Sequence, residues 1–164
     1  MIKLIVLDVD GCLTDGKLTY DANGIESKAF NVKDGLGITT WLKIGNEVAV
    51  ITGKNSTMVK KRAQELGIKH IYQGIKDKKK VFKELLDNLS VRNFEVAAIG
   101  DDLNDYAMLT SSGRSFTPNN GVGDIKDIVD TVLNNKGGDG AVREMIDILV
   151  SENDQEKDFI GVWK

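Results

Sequence analysis

Acidic residues collect directly after two apolar runs of this sequence. The segment "LIVLDVD" (4–10) ends with Asp8 and Asp10, and "AAIGDDLND" (97–105) ends with a second acidic group. That second group consists of Asp101, Asp102 and Asp105. Carboxylates packed together need a cation or a proton between them. Oxygen ligands of this kind suit Mg²⁺, so we expect both stretches to build one divalent metal site.

Two further apolar runs end in groups that could hold phosphate oxygens. In "EVAVITGK" (47–54), Thr52 and Gly53 precede a predicted helix, and helix amino termini commonly hold anions through backbone amides. The run "HIYQG" (70–74) is followed by lysines, one of which could neutralise charge on a transferring phosphoryl group. The candidate lysines are Lys76, Lys78, Lys79 and Lys80. Carboxylates, a hydroxyl, an ammonium group and a metal site are together the parts that phosphoryl transfer needs.

These groups meet at one place only if the apolar runs are strands of one sheet. Short apolar runs alternate with segments of helical period along the chain. They predict strands over 2–9, 47–52, 70–74 and 95–100, and helices near 34–44, 55–66, 77–89 and 102–112. This order predicts an α/β fold with a doubly wound, Rossmann-like parallel sheet and helices on both faces. In such sheets, ligands bind at the carboxyl ends of the strands.

One segment departs from this alternation. Residues 17–30 form two extended halves around Asn23-Gly24, a pair that readily adopts the positive φ angles of a type I′ turn. We therefore predict a β-hairpin that protrudes as a flap over the acidic site. No linker or change of composition divides the chain, so residues 1–164 are predicted to form a single domain. Residues from about 152 to 164 form a predicted polar tail with an apolar end.

Composition narrows the possible partners and locations. The formal net charge of −3 provides no general attraction to nucleic acid. Cys12 is the only cysteine, which excludes an intrachain disulfide. No apolar run reaches the roughly 20 residues of a membrane span, and "MIKLIVLDVD" (1–10) lacks the pattern of a secretory signal. We therefore expect a cytoplasmic protein with neither a nucleic-acid nor a membrane partner.

The sequence resembles the haloacid dehalogenase-like phosphatases over nearly its whole length. "DVDGCLTDG" (8–16) matches the first motif of that superfamily, and "GDDLND" (100–105) matches the fourth. The threonine of "ITGK" (51–54) and a lysine near position 78 match the second and third motifs. A lone acidic pair is a weak signal, whereas four motifs in the right order on successive strands are a specific one.

The resemblance implies a role for each acidic residue. Asp8 would be the nucleophile that forms an aspartyl-phosphate, and Asp10 would be the general acid and then the base. Mg²⁺ would be held by a side-chain oxygen of Asp8, the backbone carbonyl of Asp10 and Asp101. Asp102 or Asp105 would support this site.

The same resemblance implies which groups bind the phosphate. Thr52, Gly53 and Lys78 would contact the phosphoryl oxygens. Among the lysines, Lys78 aligns best with the family in "YQGIKDK" (72–78), although its neighbours Lys76, Lys79 and Lys80 remain possible.

Within the superfamily, the sequence is most similar to the 3-deoxy-D-manno-octulosonate 8-phosphate phosphatases. This similarity rests on the short chain, the hairpin in place of a cap domain, and the segments "FNVKDGLG" (30–37) and "GGDGAVRE" (137–144). The resemblance implies a phosphorylated sugar acid as substrate, a role in lipopolysaccharide synthesis, and a homotetramer whose neighbouring subunits close each site. Arg62 would reach the substrate carboxylate in an adjacent subunit. Lys54 replaces the family's usual arginine and keeps its charge, which favours the octulosonate substrate over a nine-carbon one.

Three other hypotheses remain. A phosphatase for a nine-carbon keto-sugar acid 9-phosphate would use the same residues. A phosphoacceptor signalling domain also uses a strand-end aspartate, a lysine and Mg²⁺, but here Asp10 stands two residues after the acceptor Asp8 and would hydrolyse the phosphoenzyme. A non-catalytic module that kept the fold would not need all of the motif residues.

Overall fold

The computed structural model describes all residues from 1 to 164. In chain order the strands are β1 (Leu4–Leu7), β2 (Thr19–Tyr20), β3 (Glu26–Ser27), β4 (Glu47–Ile51), β5 (His70–Tyr72), β6 (Val96–Ile99), β7 (Arg114–Thr117) and β8 (Thr131–Val132). The helices are α1 (Val32–Lys43), α2 (Thr57–Glu65), α3 (Lys78–Leu89), α4 (Tyr106–Leu109), α5 (Gly123–Lys126), α6 (Ala141–Glu152) and α7 (Glu156–Gly161).

Six parallel strands form the central sheet, in the order β5-β4-β1-β6-β7-β8. β1 lies in the middle, with Leu7 opposite Val50 of β4 and opposite Ile99 of β6. Its residues are fully buried on both faces, as an all-parallel sheet covered by helices requires. The predicted α/β fold is confirmed, and the sheet is extended by β7 and β8, which the sequence pattern did not predict.

Two apolar cores cover the two faces of the sheet. Ile5 and Leu7 belong to one core, together with residues of α1, α2, α6 and α7, whereas Leu4 and Val6 belong to the other, with residues of α3, α4 and α5. This division follows from the two-residue period of a strand, which sends successive side chains to opposite faces. None of the helices has the length and apolar content to cross a membrane.

The predicted hairpin is present, but its turn differs from the predicted type I′. β2 pairs with β3 in antiparallel fashion, with Tyr20 opposite Glu26. Gly24 has a φ of +77°, whereas Asn23 is not among the residues with positive φ, so the two-residue turn cannot form. Instead, Oδ1 of Asp21 accepts hydrogen bonds from the amides of Asn23 and Ile25 and closes a longer loop.

The predicted carboxyl-terminal tail contains the short helix α7. Phe159 of this helix is buried in the core, and Nε1 of Trp163 donates to Oγ1 of Thr40 on α1 at 3.0 Å. The tail therefore packs on its own chain.

Candidate active site

The ends of β1 and β6 bring the two acidic groups together. Asp8 follows β1 directly, and its amide donates to the carbonyl of Ile99 at the end of β6 with a distance of 3.1 Å. Asp101 stands two residues after Ile99, so both carboxylates lie at the same edge of the sheet. About 90 residues of chain separate β1 and β6, so this adjacency depends on the pairing of the two strands in the sheet.

A tight loop after β1 allows this approach. The amides of Cys12, Leu13 and Thr14 all donate to the carbonyl of Val9, which folds the chain back on itself. Gly11 has a φ of +95°, and a Cβ at this position would collide with the carboxylate of Asp101. Glycine is therefore required where the nucleophile loop meets the loop after β6.

Lys78 is the lysine that reaches the acidic residues. The side chain of Asp77 accepts from the amide of Lys80 and begins α3, which places Lys78 in the first turn. Its Nζ donates to Oδ1 of Asp8 and to Oδ1 of Asp105, each at 2.6 Å. The side chain of Lys78 is buried, whereas Lys76, Lys79 and Lys80 are exposed.

Asp105 and Asp102 have different surroundings. Asp105 is fully buried, and its Oδ2 accepts from the amides of Asp101 and Asp102 at 3.0 and 3.4 Å. Asp102 is exposed, and its Oδ1 caps the 3₁₀ turn that begins at Leu103. Asp105 therefore shapes the loop that carries Asp101, while the side chain of Asp102 is engaged locally.

The surroundings of Asp8 and Asp101 disfavour the charged forms of both carboxyl groups. Burial raises the pKa of Asp8 to about 8, and the charge of Asp105 adds to this effect, although Lys78 opposes it. Burial and the charges of Asp105 and Asp102 also raise the pKa of Asp101 to about 7. A cation bound between Asp8 and Asp101 would favour both charged forms and so oppose these increases in pKa.

The donor set at this position fits a divalent cation bound through oxygen. One oxygen of Asp8, one of Asp101 and Sγ of Cys12 lie within 4.8 Å of one another. Burial and the nearby carboxylates raise the pKa of the Cys12 thiol well above its usual range, so its sulfur stays protonated and is a poor ligand. Carboxylate oxygens remain as donors, and they are the ligands that Mg²⁺ prefers.

A cavity of about 260 Å³ opens at these strand ends. Its lining contains Asp8, Asp10, Gly16, Thr52, Gly53, Lys54, Asp101, Asp102 and Asn104. Gly16 and Asn104 were not predicted, since neither a loop glycine nor an exposed asparagine carries a local signal. A larger groove of about 620 Å³ runs along α3 and shares no lining residue with this cavity. We assign the chemistry to the smaller cavity because the carboxylates with raised pKa values line it.

Comparisons with known proteins place the chain in a family. Residues 70–146 match the haloacid dehalogenase-like hydrolase family. The 3-deoxy-D-manno-octulosonate 8-phosphate phosphatase of Salmonella typhi is 42% identical over 153 residues, which cover 91% of this chain and 79% of that protein. The chain belongs to the 3-deoxy-D-manno-octulosonate 8-phosphate phosphatase family. The resemblance inferred from the four motifs is thereby confirmed.

Solved structures of this octulosonate phosphatase family share the fold. The enzyme from Moraxella catarrhalis, solved in complex with a magnesium ion, a phosphate ion and KDO, has a TM-score of 0.95 and 39% sequence identity, and the match covers 99% of this chain and 94% of that one. The cobalt-bound enzyme from Haemophilus influenzae has a TM-score of 0.90 and 39% identity, covering 96% and 91% of the two chains. The match over nearly the whole length supports the doubly wound architecture described above.

Arg62 does not line the acidic cavity of its own chain. Its guanidinium packs over Gly35 of α1, where a Cβ would collide with Nη2. It also lies 3.8 Å from Glu65 and 6.0 Å from the centre of the Phe30 ring. Arg62 is therefore not placed to contact a substrate in the cavity of its own chain.

Lys28 contacts the site, although sequence reasoning did not select it. Its Nζ donates to Oδ1 of Asp10 at 2.5 Å and lies 3.2 Å from Oε1 of Glu26. The local sequence gives no signal for this contact, because a lysine that follows a hairpin strand is usually solvated.

Proposed function

We propose that this protein is a Mg²⁺-dependent phosphatase that hydrolyses 3-deoxy-D-manno-octulosonate 8-phosphate to 3-deoxy-D-manno-octulosonate and phosphate. The product is the sugar acid used in lipopolysaccharide synthesis. The observation that carries the proposal is the meeting of Asp8 and Asp101 at adjoining strand ends, with Lys78 of α3 bound to Asp8, in a chain of this family.

Asp8 acts as the nucleophile in the first step. Its carboxylate oxygen forms a bond to phosphorus while the bond between phosphorus and the sugar oxygen breaks, and Asp10 gives its proton to that oxygen. Thr52, the amide of Gly53 and Lys78 bind the phosphoryl oxygens. Asp8, the carbonyl of Asp10 and Asp101 would hold Mg²⁺, whose charge would reduce the repulsion between the carboxylate and the phosphate dianion.

Asp10 acts as the base in the second step. It removes a proton from water, the water oxygen bonds to phosphorus, and the bond from phosphorus to Asp8 breaks. Phosphate leaves, Asp8 is again a carboxylate, and Asp10 has regained its proton. The site is then ready for another substrate, which distinguishes a phosphatase from a phosphoacceptor domain.

The side chains around the cavity support a phosphorylated sugar acid as substrate. Lys54 lines the cavity and supplies positive charge for a carboxylate. Family membership favours the eight-carbon acid over the nine-carbon one. Arg62 would bind the substrate carboxylate of a neighbouring subunit, for which a planar guanidinium group is well suited.

The proposed assembly is a homotetramer in which neighbouring hairpins close each site. The hairpin exposes three apolar side chains, with 51% of Leu18, 57% of Tyr20 and 64% of Ile25 accessible. Exposed apolar side chains on one protruding element favour contact with another protein surface. We retain the cytoplasm as the predicted location.

Phosphate release from a panel of phosphorylated eight- and nine-carbon keto acids tests the proposal. We expect turnover with Mg²⁺ and a clear preference for 3-deoxy-D-manno-octulosonate 8-phosphate. Asp8→Asn should abolish turnover, and Asp10→Asn should lower it by about 10²- to 10⁴-fold, because a positioned acid and base contribute that much. Unchanged turnover by Asp8→Asn would show that the nucleophile is assigned wrongly. An equal rate on every acid would refute the substrate but leave the reaction type intact.

A further inference from the structure

Lys28 links the hairpin to the acid-base residue. It follows β3 directly, and only 2% of its side chain is accessible. Burial lowers the pKa of Lys28, but the contacts with Asp10 and Glu26 more than offset this effect and raise its pKa above the usual value. The side chain is therefore a buried ammonium group placed between two carboxylates.

The hairpin fixes the position of this ammonium group. Glu26 is paired with Tyr20 across the hairpin, and its buried Oε1 accepts no hydrogen bond, so the ion pair with Lys28 is its only polar contact. A buried charge without a partner is costly, which ties Lys28 to both of its neighbours. The flap and the side chain of Asp10 are thus held in one arrangement.

The two carboxylate oxygens of Asp10 differ in their contact with Lys28. Lys28 engages Oδ1, while Oδ2 has no hydrogen-bond partner within the chain. An ammonium group has three donors and no acceptor, so Oδ1 must accept and cannot carry a proton that points to Lys28. Oδ2 is therefore the oxygen of Asp10 that is free to meet a leaving group.

We propose that Lys28 is a positioning residue for Asp10: by holding Oδ1 it makes Oδ2 the oxygen that protonates the leaving alcohol and later deprotonates water. The inference rests on the proposed phosphatase function. It adds a requirement that the four motifs do not contain, namely that the hairpin be folded for acid-base catalysis to work.

The leaving group of the substrate separates this role from a structural one. An alkyl alcohol needs a proton as it departs, whereas 4-nitrophenolate departs without one. In rapid acid-quench experiments, Lys28→Met should slow phosphoenzyme formation from the sugar phosphate by about 10- to 100-fold. Formation from 4-nitrophenyl phosphate should change by less than about 3-fold, because that step does not use the acid.

Two controls accompany this measurement. Lys17→Met removes a lysine of the same hairpin whose side chain is 82% accessible, and it should leave both rates unchanged. Lys28→Arg keeps a donor-only cation and should recover part of the rate on the sugar phosphate.

Two outcomes would overturn the inference. Equal slowing on both substrates would indicate a general structural defect, and no slowing on either would show that Asp10 needs no support. By contrast, a wild-type enzyme that releases phosphate from 4-nitrophenyl phosphate but not from the sugar phosphate would contradict the proposed substrate. The comparison of variants would then be made with another alkyl phosphate.

Discussion

Each charged residue of the site is distinguished by what it touches. Asp8 contacts Lys78, Asp10 contacts Lys28, and Asp101 contacts neither lysine. Each catalytic aspartate therefore contacts a lysine, whereas Asp101 contacts no cationic side chain. This distribution supports Asp101 as the carboxylate most in need of a metal ion.

Lys78 and Lys79 are adjacent in sequence, but Lys78 is buried and Lys79 is exposed. Substituting each of them in turn tests the assignment of Lys78. Lys78→Met leaves Asp8 and Asp105 buried without their shared cation, and we expect kcat/KM to fall about 10³-fold, by analogy with the loss of other charge-stabilising donors. Lys79→Met removes an exposed side chain and should change kcat/KM by less than about 2-fold. Steady-state phosphate release measures both, and an equal effect would refute the assignment of Lys78.

Most of the site residues could be predicted from the sequence because they come just after buried strands. Asp8, Thr52 and Asp101 need only the rule that parallel strands end at one edge. Lys28 could not be predicted, because its burial arises when the hairpin folds onto the loop after β1. The sequence also left the roles of Asp102 and Asp105 open, and only burial separates them.

At the scale of elements, α1 and α6 are joined by a buried carboxylate. Asp34 in the first turn of α1 is 2% accessible, and its Oδ1 accepts from the amide of Arg143 in the first turn of α6 at 2.9 Å. Gly140, the N-cap of α6, provides no side chain for this purpose. Asp34 therefore caps α6 from another helix, while its Oδ2 remains buried without a partner.

The pH dependence of stability tests the burial of the Asp34 carboxylate. Burial raises the pKa of Asp34 from 3.8 to about 6, so the folded state binds the proton more tightly than the unfolded state does. The stabilisation from Asp34 is full below pH 3.8 and is lost as the pH rises through about 6. In urea unfolding, the free energy of unfolding of the wild type, relative to that of Asp34→Asn, should fall by about 1 kcal/mol between about pH 5 and pH 8.

Asp147→Asn is the matched control for this experiment. Asp147 also lies beside Arg143, but 52% of its side chain is accessible. It should show no comparable trend between these two pH values, because an exposed ion pair contributes little. A flat difference between the wild type and Asp34→Asn would mean that Asp34 is not perturbed by burial.

A glycine pair before α6 supports the nucleophile loop. The amide of Gly138 donates to the carbonyl of Cys12 at 3.0 Å, its φ is +72°, and a Cβ there would lie 2.5 Å from the amide nitrogen of Asp15. We expect Gly138→Ala to lower the free energy of unfolding by about 2 to 4 kcal/mol. Gly123→Ala, where a Cβ meets nothing within 4 Å, should change it by less than about 1 kcal/mol in the same denaturant titration. Similar losses in both variants would contradict this role.

Element prediction succeeded where a segment carries its own pattern. β1 and β6 are uninterrupted apolar runs, β4 is apolar after Glu47, and α3 has a clear apolar face. β7 and β8 were not predicted because they are short and contain polar residues. Their place is set by tertiary contacts, such as the hydrogen bonds from the amide and hydroxyl of Ser115 to Asp130.

At the scale of the whole molecule, the chain presents an open site and an apolar hairpin. The cavity at the strand ends has no cap domain above it. A site exposed to water weakens electrostatic stabilisation of the transition state, so closure by a neighbouring subunit has a physical reason. The exposed Leu18, Tyr20 and Ile25 of the hairpin suit the proposed contact with a neighbouring subunit.

Light scattering coupled to size-exclusion chromatography tests the proposed tetramer. The wild type should elute with four times the 18.0 kDa mass of the chain. Ile25→Lys places a charge in the proposed contact and should yield smaller species with reduced turnover. Val132→Lys changes an apolar residue that is 41% accessible on β8, far from the hairpin in sequence, and should remain tetrameric. A monomeric wild type, or Ile25→Lys that stays tetrameric, would refute this interface.

The most direct test of the central claim is to trap the phosphoenzyme and locate the phosphoryl group. The wild type is mixed with 3-deoxy-D-manno-octulosonate 8-phosphate and Mg²⁺, quenched in acid within milliseconds, and mapped by peptide mass spectrometry. We predict a phosphoryl group on Asp8 that is absent when the divalent ion is chelated. Turnover without any label on Asp8, or the same label after chelation, would contradict an aspartate nucleophile that depends on a metal shared by the ends of β1 and β6.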